Sequence, residues 1–202
     1  MTKAPNFSIR PYKYSDIALI RSYLTSLKPD ELERMGIEVK VLAMGEQIEK
    51  SLTHHLSVTN LSKHEFAYLM WELDGVAIGY SSLKRIKFGL YGDMHLHITS
   101  PSARGQGRGA IWFCLSAIWF IRTYRLQLCI CEPKADNPSP NGMLKKIGFA
   151  HVKDHYAKSS DIAQVAQLRQ YLIQESVALH YLKRQVDSHG LYLMSLLDNL
   201  PK

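Results

Sequence analysis

Residues 104–110 read Arg-Gly-Gln-Gly-Arg-Gly-Ala, just ahead of a long apolar run that begins at Ile111. Glycine adopts positive φ without strain and has no Cβ to hold a ligand off its amide. Gly105, Gln106, Gly107, Arg108, Gly109 and Ala110 therefore present a row of accessible N–H groups. A helix starting here adds unpaired amides and the positive end of its dipole. The natural occupant is a pyrophosphate, with Arg104 and Arg108 supplying mobile positive charge. A second set of groups lies just before this turn. His95 and His97 stand two apart in the strand-like run Met94-His95-Leu96-His97-Ile98-Thr99 and so share one side of it. An imidazole needs little adjustment to accept a proton near neutral pH. Glu132 closes the next strand-like run and adds a carboxylate.

Other chemistries compete for these residues. A nucleotide-triphosphate loop requires Gly-Lys-Ser/Thr, and the chain has no such tripeptide. The dinucleotide pattern G-x-G-x-x-A is met by Gly105, Gly107 and Ala110, and Glu132 follows at a suitable distance. Against it, the polar stretch 100–104 separates strand from glycine, and repeating βαβ units do not follow. A metal reading would join His95 and His97 to His54, His55, His151 or His155, but no carboxylate stands at a fixed ligand spacing. No metal is expected.

Arg104, Gly107 and Gly109 also satisfy R/Q-x-x-G-x-G/A, an acyl-CoA pyrophosphate motif. Further on come the run Leu126–Glu132, Asn137, and then Gly148-Phe149, eleven and twelve residues after the asparagine. Through these two segments, well over 66–157 and loosely over the first 60 residues, the sequence resembles the GNAT superfamily of acyl-CoA-dependent N-acyltransferases. The resemblance implies an α+β fold with a mixed, mostly antiparallel, splayed sheet flanked by helices. It implies acetyl-CoA as cosubstrate, an amine as acceptor, and a backbone N–H near Ile98 or Thr99 that polarises the thioester carbonyl. Asn137 or Asn141 would bind the pantetheine arm or cap the helix near Pro140. His95, His97 and Glu132 become candidate bases for the acceptor.

Two departures stand out. Many GNATs protonate the leaving thiolate with a tyrosine seven residues after the asparagine; here that position is Leu144. Tyr124, Tyr156 or a water would substitute, or transfer proceeds without an acid. The stretch Glu132-Pro133-Lys134-Ala135-Asp136-Asn137 is similar to Glu-Pro-Asp-x-x-Asn of siderophore-type members, with Lys134 in place of their aspartate. The wider pattern is similar to the broad branch that contains ribosomal-protein N-terminal acetyltransferases; that branch is mixed in substrate, so the resemblance implies an amine acceptor, a small molecule or a protein N-terminus, without identifying it. The alternative function is a CoA-binding sensor or interaction module without turnover.

The elements that position these groups follow from periodicity and turn signals. Phe7 to Tyr12 predicts a strand, Tyr14 to Leu27 a helix opened by Ser15 or Asp16, Pro29-Asp30-Glu31 a second helix start, and Met44 to Val58 a third helix. Strands at Phe66 to Leu73 and Val76 to Leu83 flank Asp74-Gly75, a two-residue hairpin signal, and Gly92 to Thr99 continues the meander. A helix from Gly107 to Arg125 follows. Beyond a strand at Phe149 to Ser159, residues 161–186 carry Ile162, Val165, Leu168, Leu172, Ile173, Val177, Tyr181 and Leu182 at helical spacing. This predicts an inserted helix that covers its own sheet, with a homodimer contact or a lid as the alternatives. Leu191 to Leu197 would be the last strand.

Composition sets the frame. The chain has 202 residues, 46% hydrophobic and 21% charged, which predicts one globular domain over 1–202. No apolar run approaches a membrane span of about 18 residues, and the first residues lack a signal peptide's apolar core, so a cytoplasmic location is expected. Cys114, Cys129 and Cys131 lie in apolar runs without metal spacing and read as reduced, buried thiols. The net charge of +7 is spread without a basic cluster, so CoA rather than nucleic acid is the expected anionic partner.

Overall fold

The computed structural model describes residues 6–189 and 200–201. Strand β1 (Phe7–Pro11) leads into helices α1 (Ile17–Thr25), α2 (Pro29–Met35) and α3 (Gly45–Ser57). A meander of β2 (Phe66–Leu73), β3 (Val76–Lys87) and β4 (Tyr91–Ile98) comes next, then α4 (Gly109–Thr123), β5 (Leu128–Cys131), α5 (Pro138–Ile147), β6 (Ala150–Ala157), β7 (Ala166–Ile173) and α6 (Glu175–His189). The seven strands form one sheet in the order β1-β2-β3-β4-β5-β7-β6. Neighbours are antiparallel except β4 and β5.

Side-chain alternation gives the sheet two buried faces. On β2, Leu69 and Trp71 join a core around α4, while Tyr68 and Met70 join one formed by α1, α2 and α3. Helix α4 is apolar nearly all round and is buried accordingly. Its Trp112 stacks on Trp71 at 5.8 Å, and Ser116 accepts a hydrogen bond from the Trp71 indole at 2.9 Å. The Asp74-Gly75 turn has φ of 52° and 79°, the two positive values that match a tight hairpin to the strand twist.

Two expectations change. The segment 161–186 is not one helix: β7 occupies 166–173, and only α6 beyond it is helical. Leu168, Leu172 and Ile173 suit both periods, and open hydrogen-bonding edges on β5 and β6 decide for the strand. The closing strands are thus β6 and β7, joined by a short loop. The expected strand at 191–197 lies outside the described residues. Asp16 takes the position ahead of α1 without capping it; its carboxylate accepts from Arg10 at 2.6 Å and from the Lys13 N–H at 2.8 Å. Helix α6 packs on its own chain through buried Ala178, Tyr181 and Leu182, and Glu175 receives Arg122 at 2.8 Å. No described helix is long and apolar enough to cross a membrane.

Candidate functional site

Strands β4 and β5 are paired only at Tyr91–Leu128, Gly92–Cys129 and Asp93–Ile130, and then separate. The opening is bounded by Met94 to His97 on one side and Cys131, Glu132, Pro133, Lys134 and Asn137 on the other. Backbone polarity inside it follows from strand parity. Thr99 donates its N–H to Ile78 O at 3.0 Å within the meander. Alternation then turns the amides of Leu96 and Ile98 away from β3, into the opening. Of the two expected carbonyl donors, Thr99 is already engaged and Ile98 faces the right way. Gly79 lets β3 pair closely with β4 on the opposite side, because a Cβ there would sit 2.5 Å from the His97 carbonyl oxygen.

The glycine turn lies at the end of β4. A single 3₁₀ turn at Pro101–Ala103 redirects the chain, and Gly105 and Gly107 take φ of 73° and 72°. A Cβ on either would meet nothing within 4 Å. The protein therefore leaves open the space that a ligand must enter to reach these amides, as a pyrophosphate cradle requires. Gly109 and Ala110 begin α4, so their N–H groups lack intrahelical acceptors. Gln106 turns back to donate to Ser102 O at 2.6 Å. Arg104 departs from the expected role. Its guanidinium donates to Ile98 O at 3.0 Å and Glu31 at 2.9 Å, bracing the turn against β4 and α2. Arg108 pairs with no carboxylate among the described residues and is the loop's available cation.

The expected bases converge on one face of the opening. Register places Ser82 opposite His95 and Tyr80 opposite His97, and pairs Cys131 with Tyr171 so that Glu132 continues toward Gln170. His97 packs against Tyr80 at 4.9 Å and Tyr23 at 5.6 Å. Both imidazoles are pushed down to about 3, mainly by burial and then by the charge of Lys84. His95 Nε2 and His97 Nδ1 are buried without a hydrogen-bond partner. Both rings are therefore neutral near pH 7, with a lone pair to offer but poor tolerance of the proton. Glu132 is better supported. Its Oε1 accepts from His155 Nε2 at 2.8 Å and Gln170 Nε2 at 2.6 Å, and Arg85 lies 3.8 Å from Oε2.

Asn137 and Asn141 are both buried. Asn137 stands just ahead of α5 without making a side-chain cap, and donates instead to Arg34 O at 3.1 Å. Asn141 donates to the carbonyls of Lys134 at 2.9 Å and Asn137 at 2.7 Å, holding the loop into α5. The capping role expected of one of them is thus not made by either side chain. The Oδ1 atoms of both have no partner among the described residues. Buried polar atoms normally find a partner, and of the two residues Asn137 lines the opening.

The proposed tyrosine substitutes do not approach this site. The Tyr124 hydroxyl pairs with His64 Nδ1 at 2.8 Å, at the far end of α4 from the glycine turn, about 20 Å away by helical rise. Tyr156 is 76% exposed on β6, and Leu144 is fully buried in the core. Residues the sequence reading did not select are Tyr23, Tyr80, Lys84, Arg85 and Gln170, and His155, weighed there only as a metal ligand, serves instead as the partner of Glu132. Lys84 and Tyr80 share a strand side at even spacing, a signal available once β3 and β4 are paired. Arg85 joins them through an irregularity between Lys84 and Lys87, where its φ of 49° lets it bind Asp93.

No family model and no curated protein matches the sequence. Solved structures do match. Spermidine N-acetyltransferase from Vibrio cholerae, in complex with CoA and spermine, is 15% identical with a TM-score of 0.66, over 86% of this chain and 98% of that one. A ribosomal L7/L12 α-N-protein acetyltransferase in complex with coenzyme A is 11% identical with a TM-score of 0.67, over 85% and 96%. An uncharacterized protein from Bacillus halodurans is 16% identical with a TM-score of 0.63, over 94% and 91%. At such identities the likeness is one of architecture: the chain has the α+β GNAT fold, with its sheet opened between β4 and β5.

Proposed function

We propose that the chain, acting as one domain over residues 1–202, is an N-acetyltransferase that moves an acetyl group from acetyl-CoA to a primary amine. One observation carries the reading. The opened edge of β4 joins a Cβ-free turn at the start of α4 to a face holding two imidazoles, each with a buried unpartnered nitrogen, and a hydrogen-bonded carboxylate. The amides of residues 105–110 and Arg108 would hold the pyrophosphate, and the Oδ1 atoms of Asn137 and Asn141 the arm's N–H groups. Acetyl-CoA supplies an acyl carbon activated as a thioester.

The protein's part is to polarise, orient and move protons. The Ile98 N–H donates to the carbonyl oxygen, where negative charge grows during attack. Glu132, directly or through His95 or His97, takes the proton that the amine must shed. His155 is 27% exposed in its side chain and connects Glu132 to solvent. The C–S bond breaks as the N–C bond forms. A thiolate is a far better leaving group than an amide nitrogen, so it can depart without an acid beside it and be protonated by water, which accommodates Leu144.

The same two features, Leu144 and the strongly depressed histidines, support a second reading as a CoA-binding module without turnover. Calorimetric titration with CoA, paired with a thiol-release assay over an amine panel, decides. Binding with release for at least one amine supports the transferase; binding with no release for any amine supports the module.

A further inference from the structure

The acceptor face holds two adjacent cations that are treated differently. Arg85 reaches Asp93 and approaches Glu132, two of the four carboxylates lining this part of the opening, the others being Glu65 and Asp161. Lys84, opposite Asp93 in the register, lies where the two halves of the cavity meet and has no carboxylate within ion-pairing distance among the described residues. Asp161 acts on it only from further away. As a diagonal neighbour of His95, Lys84 is about 7–8 Å from it across the strands. An ammonium partly shielded from water and without an ion-pair partner is unfavourable, and its affinity for the proton falls. Burial lowers the Lys84 amine below its ordinary range, Asp161 offsets part of this, and Arg85 adds to it. Its charge also opposes protonation of both histidines.

A ligand that brings the missing anion would relieve all of these at once. Resting on the acetyl-transfer reading, we propose that the acceptor is an amine that also carries a carboxylate, which seats on Lys84 while the nitrogen faces His95 and Glu132. A polyamine would instead bring more positive charge to an already unpaired cation. The shared chemistry is that of a free amino acid or of a peptide whose first residue is acidic. Transfer then forms the N–C bond and breaks the C–S bond, and the ammonium proton leaves through Glu132.

The test uses the full chain loaded with CoA, so that binding is read without turnover. Calorimetry is run with free α-amino acids, their α-amides, peptides beginning with aspartate, and spermidine. At least one free acid or aspartyl peptide should bind tenfold or more tightly than its uncharged counterpart. Lys84→Met should abolish that preference, Lys84→Arg should keep it, and both should bind CoA as the parent does. A melting temperature for Lys84→Met at or above the parent's confirms that the variant is folded. Preference confined to the free acids, or to the peptides, identifies the source. Amides or spermidine binding as well as the acids, a preference that survives Lys84→Met, or no amine binding at all overturns the proposal. If the acids bind with this Lys84 dependence but acetyl-CoA releases no thiol, the transferase reading fails while the anion site stands.

Discussion

Replacing His95 and His97 together by glutamine should flatten the acid side of the protein's stability profile. A buried imidazole held near 3 remains neutral in the native state while its unfolded counterpart, with a pKa near 6.5, takes up a proton. Between these values the unfolded chain binds more protons, so each histidine removes stability as pH falls below 6.5. At pH 4.5 the window spans two pH units, which is at most about 2.7 kcal/mol per histidine. Residual exposure of the rings reduces this by roughly half, leaving about 3 kcal/mol for the pair. At 2–4 °C per kcal/mol for a chain of this size, the parent should lose roughly 6–12 °C more than the double variant between pH 7 and pH 4.5. The comparison is of slopes, since the substitutions also alter packing at pH 7. Carboxylates held low by ion pairs, such as Asp16 and Glu31, weaken in both proteins and cancel. The assay is thermal unfolding by circular dichroism across that range. Superimposed slopes would show that the two rings are not held neutral, and would remove the argument for them as proton acceptors at neutral pH.

Gly107→Val should weaken CoA binding at least tenfold, about 1.4 kcal/mol, because the branched side chain fills the open space beside the loop amides. The accompanying backbone strain is of order 1–2 kcal/mol, and unchanged calorimetric affinity would reject the cradle. Asn141→Ala removes the side-chain donor that the Lys134 and Asn137 carbonyls share, leaving Lys134 O only the Asn137 N–H, and should lower stability by about 1–3 kcal/mol, read as a shift in denaturant midpoint. Glu132→Gln should reduce kcat by about 10²–10⁴ with little change in the KM for acetyl-CoA; a parent-like kcat would place the proton acceptor elsewhere.

What the sequence made legible was local. Asp74-Gly75 specified the hairpin and hence β2 and β3, and the alternating glycines announced a turn that the structure builds with positive φ at Gly105 and Gly107. The shared side of His95 and His97 followed from strand periodicity. What stayed hidden depends on distant partners. Strand β7 carries Leu, Gln and Arg, good helix formers, and is a strand because β5 and β6 both need a neighbour. Arg104 looked like a phosphate ligand because nothing nearby shows Glu31, 73 positions earlier, arriving through α2. Arg85 should face away from Lys84, and only the irregularity in β3 brings it round.

The parting of β4 from β5 also bears on solubility. A sheet interrupted in mid-span has two internal margins as well as the outer ones at β1 and β6. Unpaired strand margins ordinarily recruit strands from other chains and seed aggregation. Here bridges from Ile37 to Ala163 and from Lys134 to Leu168 tie together segments that line the cleft, after α2 and after β5. The backbone that the parting leaves unpaired thus lies within a cleft rather than along an open edge, an arrangement that favours a slender ligand over a foreign strand.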